Sequence, residues 1–273
     1  MTRSQLISPA FVAVLLAIGC GSSAKPQEAA ATDAGERTDA HERIEQPLQL
    51  AEAPAGAQPS AAGSSTVRGV MHLSGTAPAP EKVKMDADPV CKQQHATPVY
   101  AEEVVANNGL LQYVFVYVKE GLTGAFPAPA TPVTLTQNGC WYTPHVFGIQ
   151  AGQPLEIVNN DATLHNINAK PTANQPFNIA QPVKGMKSTK KFTKAEIGVT
   201  FKCNVHPWMH AYAGVVEHPF FSVSGADGSF AIAGLPAGTY TLEAWHEKYG
   251  TQTQTVTIGS GETKSIEFTF TAQ

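Results

Sequence analysis

Residues 201–210, with the sequence FKCNVHPWMH, hold several side chains that can bind a metal ion. Cys203, His206 and Met209 follow one another at every third position, so a thiolate, an imidazole nitrogen and a thioether can converge from one loop. Soft sulfur donors favour copper over magnesium or calcium, and the weak thioether suits an axial position. Such a site needs one more nitrogen, which His165 in the segment NNDATLHNI can supply.

Three other interpretations of Cys203 are open from its residue type alone. A cysteine on the apolar face of a strand is often an inert buried thiol. Zinc accepts cysteine and histidine, although a Cys-His-His-Met set is a poor one for a structural zinc site. A Cys-His pair can act as a nucleophile, but the sequence has no protease signature, so we expect no enzyme activity.

Short strands must position these side chains. From residue 66 onward, short apolar stretches alternate with Gly, Pro, Asn and Asp. VTFKC places Val199, Phe201 and Cys203 on one face of a strand. Regular short strands without a helical stripe predict an all-β fold of sandwich or barrel type.

Residues 142–167 and the Cys203 loop together resemble the cupredoxins. A proline-containing strand and a glycine turn lead to an N-x-D-x-x-x-H-N corner, and C-x-x-H-P-x-M after F-K is similar to the loop of amicyanin-like blue copper proteins. The resemblance covers roughly residues 100–217 and implies a Greek-key β-sandwich with one type 1 copper ion.

The resemblance also implies a role for each residue of the site. The three trigonal ligands and the axial ligand would be His165, Cys203, His206 and Met209. Asn166 would hydrogen-bond toward the loop that carries Cys203. His210 directly follows Met209 and is the alternative axial ligand, although adjacent residues of an extended segment point in opposite directions.

The implied function is transfer of single electrons by a blue copper protein. Electrons would pass through an exposed edge of His206, beside an apolar rim that includes Pro207 and Trp208, to a redox partner protein. The alternative function is copper trafficking, sensing or sequestration without electron transfer, because the same ligands would serve it.

The C-terminal residues 218–273 carry hairpin signals, above all Asp227-Gly228 between alternating strands. The run DGSFAIAGLPAGTYTLEAWH resembles the small prealbumin-like sandwich of carboxypeptidase regulatory-like domains. That resemblance implies the following core residues: Phe230, Leu235, Tyr240, Leu242 and Trp245. We expect a copper-binding domain over residues 66–217 and this small sandwich after it; the role of residues 66–140 is open.

The chain has four cysteines. If Cys20 carries lipid and Cys203 binds metal, Cys91 and Cys140 remain as a pair, and an oxidising compartment predicts a disulfide between them. The alternative is a second metal site built from two Cys-His pairs, namely Cys91 with His95 and Cys140 with His145.

The N-terminus predicts export. Residues 1–19 combine a basic residue with a short apolar run, and LAIGC resembles a lipobox, which implies lipidation of Cys20. Residues 20–65 are rich in Ala, Pro, Glu and Gln, without aromatic residues, which predicts a disordered tether. We expect a protein anchored by lipid to a membrane, in the periplasm or at the cell surface.

Charge is concentrated in this tether. The chain has a net charge of −4, with 22 acidic and 18 basic residues. The tether holds seven acids and three bases; setting it and Arg3 aside leaves 15 acids and 14 bases. The rest is almost neutral, so we expect no nucleic-acid partner.

Overall fold

The computed structural model describes residues 63–272, and these are nearly all β, as predicted. Residues 1–62, with the predicted signal peptide, Cys20 and most of the predicted tether, lie outside the described residues. No helix within residues 63–272 is long and apolar enough to cross a membrane. The described elements are β1 (Ser65–Ser74), α1 (Pro89–Gln93), β2 (Ala106–Asn107), β3 (Leu110–Leu111), β4 (Phe115–Glu120), β5 (Val133–Gln137), β6 (Tyr142–Thr143), β7 (Val146–Gln150), β8 (Pro154–Asn159), β9 (His165–Lys170), β10 (Phe177–Gln181), β11 (Lys187–Lys191), β12 (Glu196–Lys202), β13 (His210–Val216), β14 (Phe221–Val223), β15 (Ser229–Leu235), β16 (Gly238–His246), β17 (Gly250–Ile258) and β18 (Thr263–Thr271).

Two sheets form the sandwich that carries the predicted metal ligands. After these predicted ligands we call it the metal-binding sandwich. Their strand orders are β10-β9-β12-β13-β7 and β11-β8-β5-β6. Neighbouring strands are antiparallel, except that β7 runs parallel to β13 and β5 parallel to β8. Side chains from both sheets share one core, and the alternation predicted for β12 is confirmed: Val199, Phe201 and Cys203 are buried, whereas Lys202 is exposed.

The other two sheets combine strands from both ends of the described chain. β1 lies between β15, to which it is antiparallel, and β18, to which it is parallel. β4 lies between β14 and β16. Nearly all of β1 and all of β4 lie in residues 66–140, which we call the N-terminal extension. The extension therefore completes the C-terminal sandwich, which gives it a structural role. The sheets do not divide at residue 217, since residues 133–216 are inserted between β4 and β14.

The predicted core of the C-terminal sandwich is confirmed for four of its five residues. Phe230, Leu235, Tyr240 and Leu242 are buried in one cluster. Trp245 is only partly buried and lies instead against the ring of Tyr212, at a centroid distance of 5.5 Å. Tyr212 belongs to the metal-binding sandwich, so Trp245 packs between the two sandwiches.

Two paired glycines allow the sandwiches to approach closely. Gly148 of β7 and Gly214 of β13 are register partners. A Cβ atom at Gly214 would lie 2.2 Å from the ring of Phe115, and one at Gly148 would lie 2.1 Å from the ring of Phe221. No side chain fits at such distances, so this interface requires glycine at both positions.

Candidate metal centre

The predicted ligands lie at the ends of neighbouring strands. His165 begins β9, and Cys203 follows the last residue of β12. Since β12 pairs with β9 on one side and with β13 on the other, the loop that joins β12 to β13 lies over the start of β9. Hydrogen bonds close this loop, from Cys203 N to Met209 O at 3.2 Å and from Met209 N to His206 O at 3.0 Å.

Three ligand atoms converge inside the sandwich. The sulfur of Cys203 and one ring nitrogen each of His165 and His206 all lie within 4.8 Å of one another. Nδ1 of His165 is 2.9 Å from Nδ1 of His206, and the Cys203 sulfur is 3.8 Å from the latter nitrogen. All three residues are buried. Long-range folding thus brings together three of the four donors that the sequence predicted.

Two carboxylates lie at hydrogen-bond distance from the Nε2 atoms of the two imidazoles. Oδ2 of Asp161 lies 2.9 Å from Nε2 of His165, and Oδ2 of Asp88 lies 2.9 Å from Nε2 of His206. A proton on each Nε2 leaves a lone pair on each Nδ1. Because the two Nδ1 atoms face each other at hydrogen-bond distance, the arrangement is stable only with a proton or a metal cation between them.

The Cys203 thiol ionises easily. Burial alone would raise its pKa, but hydrogen bonds from His165 and His206 and from the backbone N–H of Asn166 outweigh burial and lower the pKa from 9.0 to about 5. The thiolate is the form that binds metals. Burial also opposes the charged form of His165, yet hydrogen bonds to Asp161 and Cys203 raise the pKa of this imidazole above 6.5.

This donor set fits a soft or borderline cation. One thiolate and two imidazoles suit copper or zinc, whereas magnesium and calcium prefer oxygen ligands. Asp88 and Asp161, the carboxylates nearest the site, are occupied by Nε2 atoms. The residues present are therefore compatible with the copper ion that the cupredoxin resemblance implies.

Met209 and His210 lie in different surroundings. Met209 is fully buried and belongs to the same apolar cluster as Cys203. His210 lines a cavity together with His145 and Glu247. Burial lowers the pKa of His210, and the charge of Lys202 acts in the same direction. This placement favours Met209 over His210 as the residue available to the centre.

Asn166 connects the two halves of the site. Its side-chain oxygen accepts a hydrogen bond from the backbone N–H of Asn204, the residue after Cys203. Its side-chain nitrogen donates to Asn178 on β10. Asn166 thus makes the contact to the Cys203 loop that the resemblance implied.

The predicted disulfide between Cys91 and Cys140 is confirmed. The alternative of a second metal site built from two Cys-His pairs is wrong, because both sulfur atoms are used in this bond. The histidines have other partners: Nε2 of His95 is 2.7 Å from the carbonyl oxygen of Gly139, and His145 pairs with Glu247.

The edge of His206 is not exposed, contrary to expectation. His206 is only 2% exposed. Its Nε2 atom faces the Asp88 carboxylate and lies 3.5 Å from the sulfur of Cys91. α1 and the disulfide cover the place where the resemblance implied an exit for electrons.

The sequence interpretation missed both carboxylates. Asp161 could have been found from the sequence, because it lies four residues before His165 in the corner motif. In the structure its carboxylate also accepts hydrogen bonds from the backbone of Gly139 and Cys140. Asp88 lies 118 residues from His206, in the extension, and no local pattern marks it.

Trp208 connects the centre to a surface cavity. Its ring centroid lies 5.2 Å from that of His206, and its Nε1 donates to the carbonyl oxygen of Cys140 at 3.0 Å. Trp208 is partly buried and also lines the cavity beside His145 and His210, which has a volume of about 510 Å³. Trp208 is therefore a contact between His206 and a region open to solvent.

One family matches the chain in part. Residues 216–271 match the carboxypeptidase regulatory-like domain, which agrees with the resemblance of the C-terminal segment. No curated protein matches the sequence. The matched segment holds β14 to β18 but not β1 and β4, the strands from the extension that pair with them.

Solved structures similar to this chain include copper proteins. A copper-containing nitrite reductase from Thermus scotoductus is 25% identical over 35% of this chain and 25% of its own, with a TM-score of 0.31. A purple cupredoxin from Nitrosopumilus maritimus is 19% identical over 30% of this chain and 97% of its own, with a TM-score of 0.26. A methionine-to-alanine mutant of amicyanin in the Cu(I) form is 18% identical over 34% of this chain and 84% of its own, with a TM-score of 0.27. The chain spans about a quarter of the nitrite reductase, and no function follows from scores this low.

Proposed function

We propose that this protein binds one copper ion through His165, Cys203 and His206 and carries single electrons. One observation supports the proposal above all others: a thiol of low pKa and two imidazoles, all buried, bring their ligand atoms within 4.8 Å of one another. Met209 is the proposed axial ligand, since a buried thioether in the same loop suits a weak axial position.

The residues of the chain would hold the donors in one geometry. Copper, when bound, would supply a couple that changes by one electron. Asp161 and Asp88 fix the rotation of the two imidazoles through their Nε2 atoms. The apolar cluster around Cys203 excludes water from the sulfur. A preorganised site of this kind needs little rearrangement when its charge changes.

Electron exchange would take place through Trp208, because the edge of His206 is covered. The tryptophan ring lies beside the ring of His206 and reaches the adjacent cavity. A redox partner protein would dock at this cavity. We propose no catalytic reaction for the protein itself.

Copper trafficking, sensing or sequestration is the alternative use of the same ligands. Trafficking requires that copper leave the site readily. Both imidazoles are buried and held by carboxylates, which favours retention of the metal over its release. We also propose export to the periplasm or cell surface with a lipid anchor at Cys20, a residue outside the described part of the chain.

The test is a titration of the purified chain with Cu(II), followed by visible absorption and electron paramagnetic resonance. We expect an intense thiolate-to-copper charge-transfer band that saturates at one copper per chain and is lost in Cys203→Ser. His72→Gln, which changes a histidine of β1 in the other sandwich, should keep the band. Cycles of reduction and reoxidation that retain copper would support the electron carrier. Absence of the band, or its persistence in Cys203→Ser, would refute the proposal.

A further inference from the structure

A short segment of the N-terminal extension covers the metal centre. We call residues 88–94 the lid; they comprise α1 and its two capping residues. Asp88 places a carboxylate oxygen 2.9 Å from Nε2 of His206, and Cys91 places its sulfur 3.5 Å from the same nitrogen. The lid therefore lies directly on one predicted ligand.

Hydrogen bonds and one covalent bond join the lid to the metal-binding sandwich. Thr163 Oγ1 donates to Asp88 Oδ2 at 2.8 Å, whereas Asp88 Oδ1 accepts from the backbone of the lid itself. A helix of five residues is not stable alone, and each hydrogen bond contributes little because water replaces it on opening. The bond from Cys91 to Cys140 is thus the strongest attachment of the lid.

Cys140, the partner of Cys91 in this disulfide, is held by hydrogen bonds at the metal centre. The backbone N–H of Cys140 donates to Asp161 at 2.8 Å, and the same carboxylate group lies 2.9 Å from His165. The carbonyl oxygen of Cys140 accepts from Trp208. The disulfide therefore ties the lid to the residues that position both imidazoles.

We propose that the lid locks a metal ion into the centre when the disulfide forms. Metal enters while Cys91 and Cys140 are thiols and the lid can open. In the closing step the two thiols lose two protons and two electrons to the disulfide of a thiol oxidant, which becomes a dithiol, and the bond from Cys91 to Cys140 forms. Both cysteines are then 0% exposed, so reductants cannot easily reach them.

The inference rests on the metal-binding part of the proposed function and makes it more specific. A centre that closes after loading keeps its metal through many turnovers, as an electron carrier requires. The same lid would hinder a trafficking protein, which must release its cargo. Retention should therefore depend on the disulfide as well as on the ligands.

The first test needs no metal and uses the reactivity of Cys203 in the metal-free chain. Alkylation by iodoacetamide should be slow in the oxidised wild type and about a hundredfold faster in the double variant Cys91→Ser/Cys140→Ser, in which the lid opens. Leu242→Ala, which weakens the other sandwich without touching the lid, should leave the rate near that of wild type. Equal alkylation rates in wild type and the double variant, or an equal acceleration by Leu242→Ala, would refute the proposal that residues 88–94 act as a lid.

The second test follows zinc, a redox-inactive probe, from the loaded chain to a chelator. Wild type loaded while reduced and then oxidised should retain zinc, whereas the double variant should release it rapidly. Oxidised metal-free wild type should take up zinc more slowly than reduced wild type, a comparison that remains possible if the double variant does not fold. Uptake and release that do not depend on the disulfide would refute the lock. Failure to bind copper would refute the proposed function alone, since thiol reactivity still reports on the lid.

Discussion

At the scale of single residues, two carboxylates decide what the imidazoles can bind. Asp161 and Asp88 each engage an Nε2 atom, so the Nδ1 atom of each imidazole is left to face the centre beside Cys203. The hydrogen bonds in this group also lower the pKa of the Cys203 thiol to about 5, in spite of its burial. The pair of carboxylates and the thiolate thus prepare the donors before any cation is present.

Replacement of Met209, the proposed axial ligand, should change the proposed copper site selectively. Met209→Gln puts a harder oxygen donor at the axial position, which favours Cu(II), so we expect a lower reduction potential and an altered absorption spectrum. His210→Gln should leave both unchanged, because His210 lies at the neighbouring cavity. Redox titration of the two variants beside wild type measures this; a shift only in His210→Gln would assign the axial role to histidine.

At the scale of elements, loops secured by side chains set the edges of the metal-binding sandwich. The disulfide closes a loop over a sequence separation of 49 and contributes about 4 kcal/mol in the chain-entropy account. A second link is Glu196 at the start of β12. Its carboxylate accepts hydrogen bonds from the backbone of Thr172 and Ala173, in the turn between β9 and β10.

The Glu196 link should make stability depend on pH. Burial is the strongest single influence and opposes ionisation, but the hydrogen bonds from Thr172, Ala173 and Asn174 together outweigh it and lower the pKa of Glu196 below 4.5. The contribution is therefore complete above pH 4.5 and is lost as pH falls through the lower pKa of the folded protein. Glu196→Gln should cost about 1 kcal/mol at neutral pH, after solvent screening, and less in acid.

Urea unfolding of wild type and Glu196→Gln at several pH values measures this difference. Glu81→Gln is a suitable control, because Glu81 is an exposed carboxylate outside the metal-binding sandwich. A difference between wild type and Glu196→Gln that stays constant from neutral to acid pH would contradict the argument.

At the scale of the whole molecule, the metal-binding sandwich is an insertion into the other one. Phe126 and Glu217 flank the insertion on its two sides, and the carbonyl oxygens of both accept hydrogen bonds from the side-chain amide of Gln150. The chain therefore leaves the C-terminal sandwich and returns to it at neighbouring points. β1 and β4 come from before the insertion, and β14 to β18 follow it.

The segment that matches the regulatory-like domain should not fold alone. A fragment of residues 216–273 lacks β1, whose Met71 is fully buried in the shared core, and it lacks β4. We expect a fragment with the circular dichroism and narrow amide dispersion of an unfolded chain. A second fragment, in which a short Gly/Ser linker replaces residues 127–216 between residues 63–126 and 217–273, should fold. Cooperative unfolding of the short fragment would contradict this prediction.

Local patterns were sufficient for much of the site and for the strand faces. Alternation placed Val199, Phe201 and Cys203 inside, because side chains of a strand point to opposite faces in turn. The count of cysteines predicted the disulfide, and the two motifs with His165 and Cys203 selected donors that the fold brings together. These features follow from residue types at short spacing.

Only the tertiary structure decided which strands pair and what covers the centre. Alternation tells which face of β1 is buried but not that its neighbours are β15 and β18, near the other end of the chain. Likewise, Asp88 meets His206 only because the disulfide brings a distant extension over the site. The sequence by itself determined the all-β pattern, the donor types and the cysteine pair. Which strands pair, and which segment covers the metal centre, depends on how all the buried faces fit together, and only the tertiary structure decides this.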